Sequence, residues 1–283
     1  MQPERPSRTA LRVAMRRAAH QILDRPLVLD DPVALRIVGE ERAAEIAADP
    51  RAFNRWPARY LRAFLVARSR CAEDALAEAV TRGATQVVIL GAGLDTFAYR
   101  NPYQPGTLRV FEVDHPATQA WKLERLKRSR IEVPDGVSFV AVDFETQQLP
   151  DRLRDSGFRA DTPSFFSWLG VTMYLGAETV MSTLRFVAST PRGGGIVFDY
   201  AIAPSSLGFI ERLVFRVIAA RVAALGEPWR TTFEPRALVR DLQALGFAHV
   251  DDLHAPEINA RYFAHRSDPL RVGRLAGIIS ARV

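Results

Sequence analysis

An apolar run that ends in two glycines is the feature that most constrains the fold of this chain. Residues 87–90 read VVIL and lead directly into Gly91, Ala92 and Gly93. An unbroken, mostly β-branched run of this kind is typical of a parallel strand that is buried on both faces. A Gly-x-Gly turn after such a strand lets a ligand approach the backbone with no Cβ in the way. The sequence therefore predicts a nucleotide-like ligand at the end of this strand.

Strands and helices alternate along the chain from residue 86 onwards. The predicted strands lie at 86–90, 108–113, 137–142, 164–168, 196–200, 248–253 and 277–283. The predicted helices between them lie at 116–128, 147–156, 178–189 and 235–245, the last closed by Gly246. This alternation predicts an α/β fold in which a mostly parallel sheet has helices on both faces and right-handed crossovers.

Helical segments flank this alternation and complete a single predicted domain over 1–283. The predicted parts are a helical cap with the first helices (1–82), a ligand-binding core (86–200), a helical insertion (205–230) and a C-terminal helix with strands (235–283). Two helices are expected over 40–82. The insertion is expected to cover the site or to face a second subunit, so the choice between monomer and homodimer stays open.

The first predicted helix, within residues 1–25, carries a row of basic side chains. Arg8, Arg12, Arg16 and His20 are spaced by four residues and therefore return to one side of a helix. Two interpretations of this row stay open. It is either a solvated stripe or part of a lid that brings cations to an anionic substrate.

Composition and charge exclude several classes of protein. Cys71 is the single cysteine among 283 residues, which excludes an intrachain disulfide framework and a cysteine-based metal site. No apolar run of about 18 residues and no secretory leader occur, so we expect a cytoplasmic protein with no membrane partner. The net charge of +6 is spread without interleaved aromatic residues, so we expect no nucleic-acid partner. No His/Asp/Glu cluster has metal-site spacing, and the basic run over 122–130 is predicted to be the solvated face of a helix.

Acidic residues follow the second and third predicted strands, at the same edge as the glycine turn. Asp114 comes 23 residues after Gly91, close to the spacing of about 20 at which an acid accepts from ribose hydroxyls. Asp143 ends the third strand, where its carboxylate can accept from an exocyclic amine, and Phe144 beside it can pack on a base. Ligands of open α/β sheets bind beyond the carboxyl ends of the strands. These residues together therefore predict a pocket for an adenosine-containing ligand.

The residues after the glycines distinguish a dinucleotide from S-adenosylmethionine. A dinucleotide fingerprint has a third small residue three positions after the second glycine, where this chain has Thr96. Asp95 also places a carboxylate near the helix start, which is unfavourable beside a pyrophosphate and favourable beside an ammonium or a sulfonium. The loop therefore favours S-adenosylmethionine as the cofactor.

Several motifs of this chain resemble those of one enzyme family. The segment VVILGAGLDTFAYR, followed by FEVDHPATQAWKLERL, is similar to the leucine carboxyl methyltransferase family. The resemblance covers nearly the whole chain and includes RTALRVAMRRAAHQILDRP, LDDPVALRIVG, VARSRCAED, SWLGVTMYL, GEPWRTTFEP, LGFAHVDDL and INARYFAHRSDPLR. It is strongest for the bacterial branch, which is often tied to secondary metabolism. The resemblance implies a Rossmann-like class I methyltransferase fold with a seven-stranded sheet, and S-adenosylmethionine as the cofactor.

The resemblance also implies which residues bind the cofactor. The matching positions are Arg68 for the methionine carboxylate, Gly91 and Gly93 beneath the methionine part, Asp114 for the ribose, Asp143 and Phe144 for the adenine, and Tyr174 near the sulfonium. Ala92, between the two glycines, and His115, the neighbour of Asp114, are expected to lie beside the cofactor as well. The chain departs from the family where Leu169 replaces a glutamate that lies near the amino group of the cofactor. Asp95, or a backbone carbonyl of Gly91 or Leu169, is expected to accept from that ammonium instead.

The resemblance implies methyl transfer to the carboxylate of a small molecule or of a peptide end. A carboxylate has a pKa of about 4 and is ionised at neutral pH, so such an enzyme needs positioning groups and no base. The candidates that would hold or position the acceptor are Arg16, Arg17, Tyr174, Tyr200, Arg261 and Tyr262.

Three other functions stay open. A hydroxyl or phenol acceptor, the latter with a pKa of about 10, needs a base, for which His20 and His115 are the candidates. A protein that binds S-adenosylmethionine without turnover belongs to another class, and Leu169 in place of the glutamate is compatible with it. A dinucleotide-dependent oxidoreductase is the least favoured of these functions.

Overall fold

Seven strands of the described residues form one sheet. The structure, a computed structural model, describes residues 7–144, 146–224 and 226–283, with only the backbone of Arg8. The strands are β1 (Gln86–Leu90), β2 (Arg109–Asp114), β3 (Val137–Ala141), β4 (Ser164–Trp168), β5 (Gly195–Ala201), β6 (His249–Leu253) and β7 (Ala276–Arg282). Their order is β3-β2-β1-β4-β5-β7-β6, and β7 alone runs antiparallel to its neighbours. The predicted α/β fold with a mostly parallel seven-stranded sheet is therefore confirmed.

Helices connect the strands and precede the first of them. The helices of the described residues are α1 (Arg8–Leu23), α2 (Val33–Val38), α3 (Glu40–Ala48), α4 (Pro50–Asn54), α5 (Trp56–Thr81), α6 (Pro116–Arg128), α7 (Leu149–Asp155), α8 (Ala177–Ala188), α9 (Phe209–Ala223), α10 (Pro235–Leu245) and α11 (Ala255–Tyr262). Short 3₁₀ turns lie at Phe97–Tyr99, Thr172–Tyr174 and Pro204–Ser206.

Alternate side chains of β1 belong to different core clusters, as expected of a strand buried on both faces. Val88 and Leu90 pack in one cluster, and Val87 and Ile89 pack in another that includes Val66 of α5. β1 pairs with β2 on one side and with β4 on the other, so the strand order reverses beside it. Ligands of such sheets bind at this reversal, beyond the carboxyl end of β1.

The N-terminal helices pack as a cap on the loop that follows β1. α1 begins after Ser7, whose hydroxyl accepts from the Ala10 N–H at 3.1 Å. Buried residues of α1, α2 and α3 form a third core cluster together with Leu94 of that loop and Leu126 of α6. Residues 1–6 of the predicted first helix, and the side chain of Arg8, lie outside the described residues.

The predicted basic row of α1 turns from solvent into the protein along the helix. Arg12 is exposed, Arg16 is half-buried and His20 is fully buried. His20 contacts Asp24 at 2.8 Å, and Asp24 also accepts two N–H bonds from Arg62 of α5, each at 2.8 Å. The end of α1 is therefore joined to α5 by buried polar contacts, and this part of the row is structural.

Prolines divide the segment over 40–82 into three helices rather than the two predicted. Pro50 is the first residue of α4, and Pro57 is the second residue of α5. Proline lacks a backbone N–H and is favoured in the first turn of a helix, so each proline marks a new start. α11, which no pattern predicted, also has a proline, Pro256, in its first turn.

α9 forms the helical insertion predicted over 205–230, of which residue 225 lies outside the described residues. It packs through Phe215 on the ring of Trp229, with the ring centroids 5.1 Å apart. Phe209, Ile210 and Leu213 are more than half exposed. Neither α9 nor any other helix in the described ranges is long and apolar enough to cross a bilayer.

A buried ion pair joins β2 to α6. Nζ of Lys122 lies 2.7 Å from Oε2 of Glu112, and the two side chains are 2% and 1% exposed. The phenol of Tyr99 donates to the same carboxylate at 2.9 Å. Burial raises the pKa of Glu112 above its ordinary value, and Lys122 opposes that rise. The prediction that the basic run over 122–130 is a solvated face is therefore wrong at its first position.

Lys122→Met is expected to lower the free energy of unfolding by about 3 kcal/mol, because the Glu112 carboxylate would stay buried without its cation. The double variant Glu112→Gln/Lys122→Met removes both charges and is expected to lose less than the single variant. Urea denaturation followed by circular dichroism measures both variants. Equal losses would contradict a charge-pairing role for Lys122.

Candidate active site

A cavity of about 390 Å³ lies at the carboxyl ends of β1 to β4, between these strands and α1. Its volume is within the range of ligand pockets. Gly226, Glu227, Pro228 and Arg230, which follow α9, contribute to its wall. Twelve of the predicted site residues line it: Arg17, Arg68, Gly91, Ala92, Gly93, Asp95, Asp114, His115, Asp143, Phe144, Leu169 and Tyr174.

The glycine turn after β1 forms the floor of the cavity. Gly91 has a φ of +66°, and a Cβ on it would lie 2.3 Å from Cγ2 of Val171. Gly93 has a φ of +47°, and a Cβ on it would lie 3.2 Å from the Cβ of Ala10 in α1. Positive φ values favour glycine, and these contacts leave no room for a larger residue at Gly91.

The carboxylate of Asp114 is fixed at the end of β2 by two backbone N–H groups. It accepts from Gly93 at 2.5 Å and from His115 at 2.7 Å. Burial raises the pKa of Asp114 above its ordinary value, and the two N–H bonds oppose that rise. Since a carboxylate has about four acceptor positions, Asp114 can still accept from ribose hydroxyls.

Arg17 connects the cap helix to the glycine turn through a buried charge network. Its guanidinium contacts Asp31 at 2.6 Å and Asp95 at 2.9 Å, and it donates to the Thr96 hydroxyl at 2.7 Å. Burial alone would raise the pKa of Asp95, but Arg17 and the Phe97 N–H contribute to holding it below its ordinary value. Asp95 is therefore ionised beside the cavity, and Arg17 is committed to this network.

Arg68 of α5 enters the cavity and is oriented by an acid that no pattern predicted. Its Nη1 contacts Oδ2 of Asp199 at 2.6 Å, and Asp199 is fully buried in β5. Gly170 donates its N–H to the same carboxylate, and a Cβ on Gly170 would lie 2.7 Å from Nη2 of Arg68. The buried Nε of Arg68 has no partner among the described residues. Arg68 therefore has a donor available for an anionic ligand.

Asp143, Phe144 and His115 lie at the ends of β2 and β3. Phe144 packs against the core cluster of Val88 and Leu90. The His115 ring caps α6, because its Nδ1 accepts from the Ala117 N–H at 3.3 Å. This bond assigns the proton of the neutral ring to Nε2.

Polar residues of α1 and of the segment after α9 complete the cavity beside Tyr174. Glu227 accepts from the hydroxyls of Ser7, at 3.0 Å, and Thr9. Burial raises the pKa of the Tyr174 phenol, and the nearby Glu227 carboxylate adds to the rise. Arg230 lines the same cavity. The sequence signal for Glu227 and Arg230 was the GEPWRTTFEP motif. This motif contributed to the family resemblance, but no role was predicted for its charged residues.

Tyr200 lies outside the cavity, because neighbouring residues of a strand point to opposite faces. Asp199 contacts Arg68, whereas the Tyr200 phenol donates to Asp252 of β6 at 2.9 Å. The Tyr200 ring also packs so closely on Gly277 that a Cβ there would lie 2.6 Å from it. The substrate role predicted for Tyr200 was therefore placed on the wrong face of β5. An acid within an otherwise apolar strand was the signal for Asp199.

Arg16 and His20 of α1 also lie outside the cavity. Arg16 donates to the carbonyl of Arg12 at 3.1 Å, and burial lowers its pKa below the ordinary value. Nδ1 of His20 contacts Asp24 at 2.8 Å, and its Nε2 accepts from the Val28 N–H at 3.0 Å. Both ring nitrogens of His20 are therefore engaged, and its position does not support a role as base.

Arg261 and Tyr262 of α11 lie against α5 rather than in the cavity. The Tyr262 phenol donates to Asp74 at 2.9 Å, and Nη2 of Arg261 lies 3.5 Å from the same carboxylate. The Arg261 guanidinium also lies over the Tyr262 ring, 5.2 Å from its centroid. These contacts join α11 to α5, and the position of both residues does not support the predicted contact with an acceptor.

The model of the leucine carboxyl methyltransferase family matches residues 10–188, which is more than half of the chain. The chain belongs to the leucine carboxyl methyltransferase family. The matched residues include α1, α5 and the ends of β1 to β4, and therefore most of this methyltransferase's cavity. A relative from Bacillus subtilis, "Putative S-adenosyl-L-methionine-dependent methyltransferase YktD", is 34% identical, with 95% of each chain covered.

Two solved structures share the fold of this methyltransferase. A DUF574 family protein from Streptomyces avermitilis has a TM-score of 0.57 at 16% identity, and the match covers 95% of this chain and 96% of that chain. A structure from Thermobifida fusca, titled "putative methyltransferase", has a TM-score of 0.55 at 15% identity and covers 99% of this chain and 95% of that chain. At these identities the likeness concerns the fold alone.

As a member of its family, the protein is an S-adenosylmethionine-dependent methyltransferase, and the cavity fits this cofactor. The glycine floor leaves the space that a Cβ would fill. Arg68 has a buried donor for the methionine carboxylate, and Asp114 has acceptor positions for the ribose. For the amino group, Asp95 already pairs with Arg17, and the two residues whose backbone carbonyls were the predicted alternatives, Gly91 and Leu169, both line the cavity. The roles of the individual residues remain predictions.

Gly91→Ala is expected to weaken S-adenosylmethionine binding at least about tenfold, because its Cβ would overlap Val171 and deform the floor. Gly106→Ala is the matched control, since Gly106 also has a positive φ, +84°, but has nothing within 4 Å of the added Cβ. Isothermal titration calorimetry measures both affinities. An unchanged affinity in Gly91→Ala would contradict the assignment of the floor.

Asp199→Asn is expected to weaken binding of S-adenosylmethionine about tenfold, because Arg68 would lose the charged partner that orients it. Adenosine lacks the methionine part, and its affinity is expected to stay the same. Asp252→Asn, which affects the partner of Tyr200 on the other face of β5, is the control for general damage to the strand. Equal losses for both ligands in Asp199→Asn would show that Asp199 acts on the sheet rather than through Arg68.

Proposed function

We propose that this protein transfers a methyl group from S-adenosylmethionine to a carboxylate and forms a methyl ester. The acceptor would be a small molecule or the carboxyl end of a peptide. The cofactor supplies a methyl group on a positively charged sulfur, from which an oxygen nucleophile displaces it. A carboxylate has a pKa of about 4 and is ionised at neutral pH. The protein therefore has to align and desolvate the acceptor, and it needs no base.

The observation that carries this proposal is the hydrogen bonding of the ring nitrogens in the two candidate bases, His20 and His115. His20 is fully buried with both ring nitrogens engaged. His115 lines the cavity, but its Nδ1 lone pair accepts from the Ala117 N–H. A hydroxyl or phenol acceptor would need a base, and neither histidine has a ring nitrogen free to act as one. A carboxylate acceptor needs no base and is therefore favoured.

Tyr174 and Arg230 are the residues of the cavity wall that we assign to the acceptor carboxylate. Burial raises the pKa of the Tyr174 phenol, so the phenol stays protonated at neutral pH and can donate. Arg230 lines the cavity as well, and a guanidinium is suited to a carboxylate oxygen. Arg17, which was predicted for this role, pairs with Asp31 and Asp95.

Incubation with methyl-labelled S-adenosylmethionine and a panel of carboxylic acids and peptides is expected to yield methyl esters. Mass spectrometry identifies the products, and mild base releases the label from an ester as methanol. kcat/KM is expected to change less than about twofold between about pH 6 and about pH 9, because the acceptor is ionised throughout.

Two results of this assay would contradict a carboxylate acceptor. One is a labelled product that is stable to mild base, as an ether is. The other is a rate that rises about tenfold for each pH unit, as expected when a phenol with a pKa of about 10 must lose its proton. Asp114→Ala is the control, because it removes the predicted ribose contact and should abolish the labelling of every acceptor.

A further inference from the structure

Glu227 is a carboxylate of the cavity wall that the proposed reaction leaves without a role. It lines the cavity together with Thr9 and Tyr174. Its carboxylate accepts from the hydroxyls of Ser7, at 3.0 Å, and Thr9. Among the described residues, no cation pairs with it. The two hydroxyls therefore orient the carboxylate without cancelling its charge.

The pairing of Glu227 differs from that of other acids around the cavity. Asp95 pairs with Arg17 at 2.9 Å, and Asp199 pairs with Arg68 at 2.6 Å. A cationic ligand at either of these acids would have to displace a guanidinium. A ligand cation at Glu227 would meet a carboxylate that is half-buried, already oriented and compensated only by neutral donors. Charge-assisted hydrogen bonds are the stronger ones, so Glu227 would gain more from such a ligand than Asp95 or Asp199.

The neighbours of Glu227 place it at the acceptor end of the cavity. Its carboxylate is close enough to the Tyr174 phenol to raise that pKa. Tyr174 is the residue that the family resemblance assigns to the sulfonium. The residues assigned to ribose and adenine, Asp114 and Asp143, belong to the ends of β2 and β3 instead. Glu227 is therefore expected to lie beside the methyl group that is transferred.

We propose that Glu227 binds a cationic group of the acceptor, so that preferred acceptors carry an ammonium as well as the carboxylate that is methylated. This inference rests on the proposed function and specifies its substrate class as amino-carboxylates. Arg230 follows Glu227 by three residues in the same wall. The wall therefore carries side chains of both charge signs. Ser7 and Thr9 hold the Glu227 side chain in place, which lowers the entropy lost on binding.

The test uses two ligands that differ at the position of the transferred methyl group. Sinefungin carries an amino group there, which is cationic at neutral pH, whereas S-adenosylhomocysteine has no group at that position. We expect sinefungin to bind about tenfold tighter than S-adenosylhomocysteine, through a charge-assisted hydrogen bond to Glu227. Glu227→Gln is expected to remove most of this preference while the affinity for S-adenosylhomocysteine changes less than about twofold. Glutamine keeps an oxygen for the Ser7 and Thr9 hydroxyls, so the packing of α1 should persist.

Glu211→Gln is the matched control. Glu211 of α9 lies outside the cavity, 3.9 Å from Arg274, and its loss removes the same charge from the chain. Both affinities are expected to stay the same in this variant. In Glu227→Gln, an equal weakening of both ligands would place Glu227 at the amino group of the cofactor. Unchanged affinities for both ligands would show that Glu227 faces neither position. Either result overturns the proposal.

The same variant has a second readout in the labelled-methyl assay. Amino acids and the corresponding acids without the amino group form matched acceptor pairs. The wild-type protein is expected to methylate the amino-bearing member at least about tenfold faster, and Glu227→Gln to lose this preference. A preference that persists in Glu227→Gln overturns the proposal. The comparison of sinefungin with S-adenosylhomocysteine contains no acceptor. A base-stable product in the labelled-methyl assay would therefore refute carboxylate methylation without changing the result of the binding comparison.

Discussion

The buried guanidinium of Arg17 joins the two parts of the molecule between which the cavity lies. α1 supplies Arg17, the segment after α1 supplies Asp31, and the loop after β1 supplies Asp95 and Thr96. Removing one member of a buried pair of this kind costs about 3–5 kcal/mol, because the other charge is left without a partner. The same contacts position α1 beside the glycine floor. The shape of the cavity therefore depends on this one side chain.

The two cations Arg17 and Arg68 have different roles in the cavity, and the difference follows from their ion pairs. Arg17 pairs through its Nη atoms with Asp31 and Asp95 and fixes structure. Arg68 is oriented by Asp199 through Nη1 and keeps a buried Nε for a ligand. Preorganised groups of this kind need little rearrangement when a charged ligand arrives, which is the condition under which electrostatic stabilisation is most effective. Asp114 is preorganised in the same way, because backbone N–H groups hold its carboxylate before any ribose hydroxyl reaches it.

The parts of the site that the sequence predicts are those set by strand ends. Gly91, Asp114 and Asp143 follow recognisable strands, and the carboxyl ends of parallel strands share one edge, so their meeting needs no tertiary information. The face of the sheet to which a side chain at the end of β5 points does need tertiary information. Asp199 and Tyr200 point in opposite directions, and only their tertiary contacts, with Arg68 of α5 and Asp252 of β6, show which of them orients a residue of the cavity.

Contacts between distant segments were the least predictable from the sequence. Ser7 and Glu227 are separated by 220 residues, and they meet only because the cap and the segment after α9 pack over the same sheet edge. Helical spacing placed His20 on one side of α1 but did not indicate what packs on that side. Asp24 and the Val28 N–H, which engage its ring, follow α1 in the chain. Short-range patterns thus fix the elements, whereas their packing decides which polar groups stay free.

The place of β7 in the sheet has a consequence for folding during synthesis. β7 lies between β5 and β6, although the ribosome makes it after both. Until its residues emerge, β6 lacks its neighbour and β5, all of whose residues are buried in the finished protein, has an open edge. Open edges with unpaired N–H and C=O groups pair readily with other chains. The nascent chain is therefore exposed to aggregation in the interval between the synthesis of β5 and the insertion of β7.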